Sequence, residues 1–489
     1  ISTRKLKHSI LRSLIQSLDP SEHKRFRSYL ESPYFNRNMR LVKLWEAFLS
    51  GEGVPPEGEM DLPRLFSLMY GPEQAYESQK VYDHCSFLLR HVEDFLAMQV
   101  WEADLPRQRI DSLHAMIAKK HEGGFHRMLR KLDQATGKRS RKDIPQLSVD
   151  YEKAQAQDIF FLSRMKRDPD QSLQQAVHAL DAFYFASKLR HACAILNRQN
   201  IVQSTFSLPF MPEILGILDK APDLISHPAI ALYHCIYFTL TEPAHEAHFQ
   251  KLTALLEIHA DDFDKEERTE LYGYAQNYCT KKINQGNALY LRAYFSLDQE
   301  MLKGGLLLHE GIMDHRKYKN MVTVAIRLAE FAWVENFLET YRSHLTVPYQ
   351  EVGYLYNRAA YLHAIGDFSG AKRLLWRVDA KDVYYQLGTR ALLLKIYFEE
   401  HDPEGLEAQI RVFKSFLGRN KKMSPYQVRS NRALIRYTQR LHKLREKRPA
   451  LSAKVFRKEL EKIDQDITQN PQTANINWLK TQIERMKEV

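Results

Sequence analysis

"YLYNRAAYLHAIGDFSGAKRLLWRV", Tyr354 to Val378, decides the fold. Two apolar stretches at helical spacing flank Gly366-Asp367, a pair with the chemistry of a turn. Ala359 lies in the first stretch, and Ala371 and Leu375 lie in the second. Small residues let two antiparallel helices approach closely, and Phe368 after the turn can fill the gap to a neighbouring hairpin. One such hairpin cannot bury its own apolar face, so the segment requires neighbours of the same kind.

The neighbours are present. About 35 residues further on, "YFEEHDPEGLEAQIRVF" places His401-Asp402-Pro403 in the turn and Leu406 where the small residue stood. A similar distance back, "LAEFAWVENFLETY" places Phe331-Ala332-Trp333 there. Earlier still, Gln285-Gly286-Asn287 opens "ALYLRAYFSL", with the extra length taken up around Gly304-Gly305. The best copy resembles the tetratricopeptide (TPR) pattern, although Arg358 stands in the first-helix leucine slot and the terminal proline is missing. That resemblance implies an all-α protein, a right-handed α-solenoid of TPR-like helical hairpins that binds another protein. Some TPR proteins hold a partner's C-terminal carboxylate with a Lys and an Asn; here those slots are Tyr356 and Ala360, so this mode has no support. Tyr354, Tyr356 and Tyr361 are the candidate lining of a groove, although a repeat core uses the same residue types.

Working outward, the chain divides into residues 1–105 as an N-terminal helical domain, 106–170 as a helical connector with a basic loop, 171–423 as the TPR-like repeats, and 424–489 as basic C-terminal helices and a cap. In the first, "DPSEHKRFRSYLES" offers Asp19 as cap, Pro20 in the first turn and Glu22 three residues after the cap. "QKVYDHCSFLLRHVEDFLAMQVW" reads as a long amphipathic helix. Gly123-Gly124 predicts a helix break, and the loop with Lys138, Arg139, Arg141 and Lys142 is a second basic cluster. "LDPSEHKRFRSYLESPYFNRNMRLVKLWE", followed by degenerate hairpins and "INWLKTQIERM", resembles an uncharacterised bacterial helical-repeat family that shares the "SPYFN" box (Ser32 to Asn36) and the terminal Trp478-Leu479. The box has a structural reading: Pro33 ends a helix, Tyr34 and Phe35 plug the corner, and Asn36 or Asn38 caps the next helix.

Charge is concentrated at one end. The 489 residues carry a formal charge of +11, yet residues 411–460 hold 16 Lys/Arg against Glu446 and Glu459. Within them, Ser424, Pro425 and Gln427 have the spacing of a capping box, and Pro449 stops the helix. At 100° per residue Arg429, Arg432, Arg436, Arg440, Lys443 and Lys447 fall in a sector of roughly 80°. Leu434, Tyr437, Leu441 and Leu444 form the apolar sector beside it. This stripe is the candidate surface for a phosphate or an acidic partner. The alternative is a solvated face, or one paired with acids of the same fold.

No Walker A loop, dinucleotide fingerprint, Gly-x-Ser-x-Gly elbow or His-Glu-x-x-His is present. "HEAH" (His245, Glu246, His248) and "HEGGFH" (His121, Glu122, His126) lack a third ligand or a continuous helix. Cys85, Cys193, Cys235 and Cys279 lie singly in apolar runs, as buried free thiols do. No apolar run reaches the ~18 residues of a membrane helix, and no secretory signal opens the chain, which begins at Ile1 rather than Met, as though a few native residues were absent. The expectation is a cytoplasmic, non-enzymatic scaffold with no cofactor, no metal and no membrane contact, whose partner is another protein. The alternative is a nucleic-acid- or ribosome-associated factor that uses the C-terminal stripe on phosphates.

Overall fold

The structure is a computed structural model describing residues 3–55, 59–137, 142–164, 171–199, 206–379, 382–420, 423–470 and 472–488. Among the described residues it holds 24 α-helices and a single two-stranded hairpin, so the chain is all-α. It divides into two compact units: residues 1–192 with 207–233, and residues 193–206 with 234–489. Lys138, Arg139 and Arg141 of the second basic cluster lie outside the described residues.

In the first unit, α1 (Thr3–Ser17), α2 (Pro20–Glu31), α3 (Arg40–Ser50), α4 (Leu62–Tyr70) and α5 (Ser78–Ala103) enclose one core around Phe26, Trp45, Phe66 and Phe95. A second core, around Phe125 and Phe160, joins α6 (Leu105–Ala118), α7 (Glu122–Gly137) and α8 (Ile144–Ser163). Then come α9 (Ser172–Gln199), α10 (Met211–Leu218), α11 (Pro222–Ile225) and α12 (Pro228–Thr241), with the boundary between units falling inside α9 and α12. The capping box at α2 forms as the spacing predicts: Asp19 accepts from the Glu22 amide, and the Glu22 carboxylate accepts from the Asp19 amide.

Two local expectations change. At the corner after α2 Phe35 stacks on Tyr29 (4.6 Å between ring centroids), but Tyr34 is 87% exposed and Asn36 takes the buried place. The buried Asn36 amide donates to the Leu30 carbonyl (2.8 Å) and the Asn38 carbonyl (3.1 Å), and its oxygen accepts from the Asn38 amide (2.8 Å). The break before α7 falls at Lys120-His121 rather than at Gly123-Gly124. The His121 ring accepts from the Gly124 amide. A side chain on Gly124 would meet both the Met116 sulfur of α6 (2.5 Å) and the His121 ring (2.7 Å), so this glycine leaves room for the two side chains within a continuous helix.

The second unit continues with α13 (Glu246–His259), α14 (Lys265–Asn284), α15 (Leu289–Lys303), β1 (Leu308–His309), β2 (Ile312–Met313), α16 (His315–Arg327), α17 (Phe331–Tyr341), α18 (Val347–Ala364), α19 (Phe368–Leu375), α20 (Val383–Glu399), α21 (Pro403–Arg419), α22 (Pro425–Glu446), α23 (Ala453–Thr468) and α24 (Ile476–Glu488). The antiparallel β1–β2 hairpin, turned by Glu310-Gly311 at positive φ, occupies part of the extra length that follows Gly304-Gly305. From α16 onward each helix packs on the next, while α16, α18, α20 and α22 also touch one after another.

The hairpin turns repeat in geometry. Gly286, Ala329, Gly366 and His401 all take positive φ. In each case the left-handed residue's amide bonds the carbonyl three residues back, and the next amide bonds the carbonyl five back, as Gly366→His363 and Asp367→Leu362 do. This is the helix-ending motif that leaves no buried carbonyl orphaned. Asp367 and Asp402 then cap α19 and α21 through the amides of Gly370 and Gly405. The copy expected at Phe331-Ala332 turns two residues earlier, at Ala329-Glu330. Ala359 and Ala371 are fully buried where α18 meets α19. Residues 424–489 do not form a core of their own: α20 to α24 share one, from Leu387 to Met486. The Trp478 indole donates to Glu399, and Leu479 is fully buried.

Candidate functional site

The basic stripe lies on α22. Its capping box forms, with the Ser424 hydroxyl accepting from the Gln427 amide and the Gln427 side chain accepting from the Ser424 amide. The apolar sector is buried as the spacing predicts, Leu434, Leu441, Tyr437 and Leu444 all entering the shared core. Burying four such side chains, each worth about 1.5–3 kcal/mol, fixes the rotation of α22. Arg429, Arg432, Arg436, Lys443 and Lys447 are consequently exposed.

Arg440 differs. It is half-buried, and its guanidinium pairs with Asp466 of α23 at 2.5 Å. Arg436 donates to the Tyr437 hydroxyl (3.0 Å), which donates to the Asp466 backbone carbonyl (3.1 Å), and its guanidinium lies 4.7 Å from the Tyr437 ring centroid. Among the described residues no carboxylate lies within ion-pair distance of Arg429, Arg432, Arg436, Lys443 or Lys447. From Arg429 to Lys447 the stripe runs about 27 Å at 1.5 Å per residue.

Three of its arginines converge. Arg429, Arg432 and Arg436 line a cavity of about 320 Å³, whose facing side is Asn470 and Gln472 from the loop between α23 and α24. That loop is pinned to α22 where the Ala474 amide donates to the Ser430 carbonyl (3.1 Å). The Thr473 hydroxyl bonds the Asn470 carbonyl and tightens the turn. Three planar guanidinium forks and two side-chain amides make a set suited to the oxygens of a phosphate. Sequence reasoning found the arginines and missed Asn470 and Gln472. No periodicity marks a loop amide, and only the fold brings the two beside α22.

The tyrosines of the expected groove make contacts with neighbouring helices. Tyr354 donates to Glu339 (2.6 Å) and lies under Arg342. Tyr361 belongs to the core around Phe337. Tyr356, two positions and therefore about 200° from Tyr354, packs its hydroxyl against Gly388 and its ring edge on Tyr385. All three are engaged in packing between helices of the second unit.

Tyr356 does take part in another arrangement. The half-buried amine of Lys319 lies 3.7 Å from the Tyr384 ring centroid, 4.4 Å from Tyr356 and 5.6 Å from Tyr385. Burial pushes the Lys319 pKa down to about 7, against the attraction of Asp382. Lys395 is pushed down to about 8 in the same way, opposed by Glu399.

The remaining sequence candidates have ordinary roles. His248 pairs with Glu242 (3.0 Å), while His126 approaches Glu122 (3.8 Å). The four cysteines are buried, and the Cys235 thiol donates to the His248 carbonyl (3.1 Å). No helix among the described residues is long and apolar enough to cross a membrane. Fold and surface together define an all-helical protein with a basic face on α22. No family model, curated protein or solved structure matches the chain.

Proposed function

We propose that this chain is a non-enzymatic binding protein whose second unit works as an α-solenoid of TPR-like hairpins and presents the basic face of α22 to the phosphates of a nucleic acid. One observation carries the reading: five exposed cations in line, without carboxylate partners among the described residues, three of them meeting Asn470 and Gln472 in one cavity. A merely solvated stripe needs no convergence, and a stripe paired within the fold would find acids as Arg440 does. Tyr437 is buried, which leaves Tyr426 as the exposed aromatic of this helix. Backbone contact without extensive base stacking favours binding that is indifferent to sequence.

The test is fluorescence anisotropy of generic RNA and duplex DNA across a salt series, with wild type beside the full-length triple variant Arg429→Glu/Arg432→Glu/Arg436→Glu. The reading expects affinity that falls log-linearly with salt and collapses in the triple variant. Absence of binding at low salt, or binding that the triple variant retains, overturns it. Affinity for a protein that persists at ~0.3 M salt and ignores the stripe would restore the protein-scaffold reading.

A further inference from the structure

We infer that a second cavity, of about 640 Å³ and walled by the ends of α20, α22, α23 and α24, binds a small organic acid: an apolar chain or ring carrying one oxyanion head. Its volume lies within the ~300–1,000 Å³ of small-molecule sites, which pair apolar walls with a few fixed polar groups. The apolar walls are Phe398, Phe456 and Met486, all buried.

The cationic groups are Arg445, Arg448 and Arg485, beside the polar side chains of His401 and Gln482. The Arg445 guanidinium donates to the Phe398 carbonyl (3.0 Å) and lies 4.3 Å from the Phe398 ring centroid, so its fork is held in place. Arg448 lies over Phe456 at 4.8 Å. Among the described residues none of the three has a carboxylate within ion-pair distance. The one carboxylate at this cavity, Glu399, is already committed: it accepts from the Trp478 indole and the Gln482 amide, and it pairs with His363 (3.2 Å). The Arg445 and Arg448 guanidinium groups, packed on aromatic rings without a direct ion pair, are costly to hold in an apolar wall, and an oxyanion relieves that cost through charge-assisted, bidentate hydrogen bonds.

The site is independent of the basic stripe. Arg445 follows Arg436 by nine residues, about half a turn out of phase, so it points away from the stripe. One cavity joins phosphate-type forks to loop amides, whereas this one joins them to phenyl rings and a thioether. Only a ligand with an apolar body uses both kinds of wall.

Isothermal titration calorimetry of the full chain with sodium octanoate tests the inference, with octanol as the body without a head and inorganic phosphate as the head without a body. One-site binding of octanoate is expected, at least ten-fold tighter than octanol and not displaced by equimolar phosphate. Arg485 is exposed, so Arg485→Gln should leave the chain folded while weakening octanoate several-fold. Adding Arg448→Gln should bring the loss to ten-fold or more. The stripe variant Arg429→Glu/Arg432→Glu/Arg436→Glu should bind octanoate as wild type does. Equal affinity for octanoate and octanol, phosphate competing as well as octanoate, no binding to wild type, or an unchanged Arg448→Gln/Arg485→Gln variant would each overturn the assignment.

Discussion

Lys319→Met probes the tyrosine cage of the second unit through proton linkage. In the folded chain burial lowers the Lys319 pKa to about 7, whereas an unfolded lysine titrates near 10.4. Between pH 7 and pH 9 the unfolded state therefore holds the proton that the folded state releases, and stability rises with pH. A full proton is worth about 1.4 kcal/mol per pH unit. Because only half a proton is released at pH 7 and nearly all of it by pH 8, the rise over the two units is about 2 kcal/mol. Lys395, at about 8, adds roughly 1 kcal/mol of the same sign. The buried thiols oppose it. Cys235 and Cys279 titrate in the fold at about 11 and about 12, so the unfolded chain loses those protons first, near pH 8.5, and stability falls as pH climbs past that point. The total curve thus mixes opposing contributions, and the readable quantity is the difference between wild type and Lys319→Met. Urea denaturation followed by tryptophan fluorescence at pH 7, 8 and 9 should show that difference moving by about 2 kcal/mol in favour of wild type. A difference that stays flat within about 0.5 kcal/mol would refute the depressed lysine.

Further predictions concern the packing that positions the two sites. Asn36→Ala leaves buried backbone groups unpaired at the corner between α2 and α3 and should cost about 1–3 kcal/mol, read as a lower thermal midpoint. Leu441→Ala opens a cavity behind the stripe at a fully buried position and should cost about 2–5 kcal/mol in urea denaturation. Glu399 is pulled towards its neutral form by burial, but its bond and charge interaction with His363, helped by the Trp478 indole and Arg485, prevail and hold its pKa below 4.5. Its contribution is therefore present above that value and lost on acidification, so the stability gap between wild type and Glu399→Gln should narrow from pH 6 to pH 3.

Local chemistry made parts of this architecture legible. Asp19 with Glu22 and Ser424 with Gln427 announce helix starts because capping depends on residues three apart in the chain. Gly366-Asp367 and His401-Asp402 mark turns for the same reason, since the cap and the left-handed residue are neighbours. Ala329 carries no such signal: an alanine does not mark a left-handed residue, so the sequence points to Phe331-Ala332 while the turn lies two residues earlier. Gly123-Gly124 carries a misleading one, because the reason for Gly124 is the room it leaves for the Met116 and His121 side chains. The exposed half of the candidate site was legible from the 100° rotation of α22, but its far wall was not. Asn470 and Gln472 reach the arginines only through the docking of the α23–α24 loop. Likewise, Tyr354 and Tyr356 leave their helix in opposed directions, each towards a neighbour that the local pattern does not name. Since α22 to α24 complete the core of α20 and α21, the stripe has to be tested by substitution in the full chain rather than by removing it.

The most direct test is the salt slope of nucleic-acid binding for wild type, Arg432→Gln and Arg440→Gln. Arg432 is exposed and lines the cavity, while Arg440 is already paired with Asp466. If the face of α22 neutralises phosphates, five unpaired cations give a slope of log affinity against log salt of up to about −4.5 on duplex DNA. Arg432→Gln should then reduce its magnitude by about 1 and Arg440→Gln should leave it unchanged. Equal slopes for all three proteins, or a larger loss in Arg440→Gln, would contradict the account.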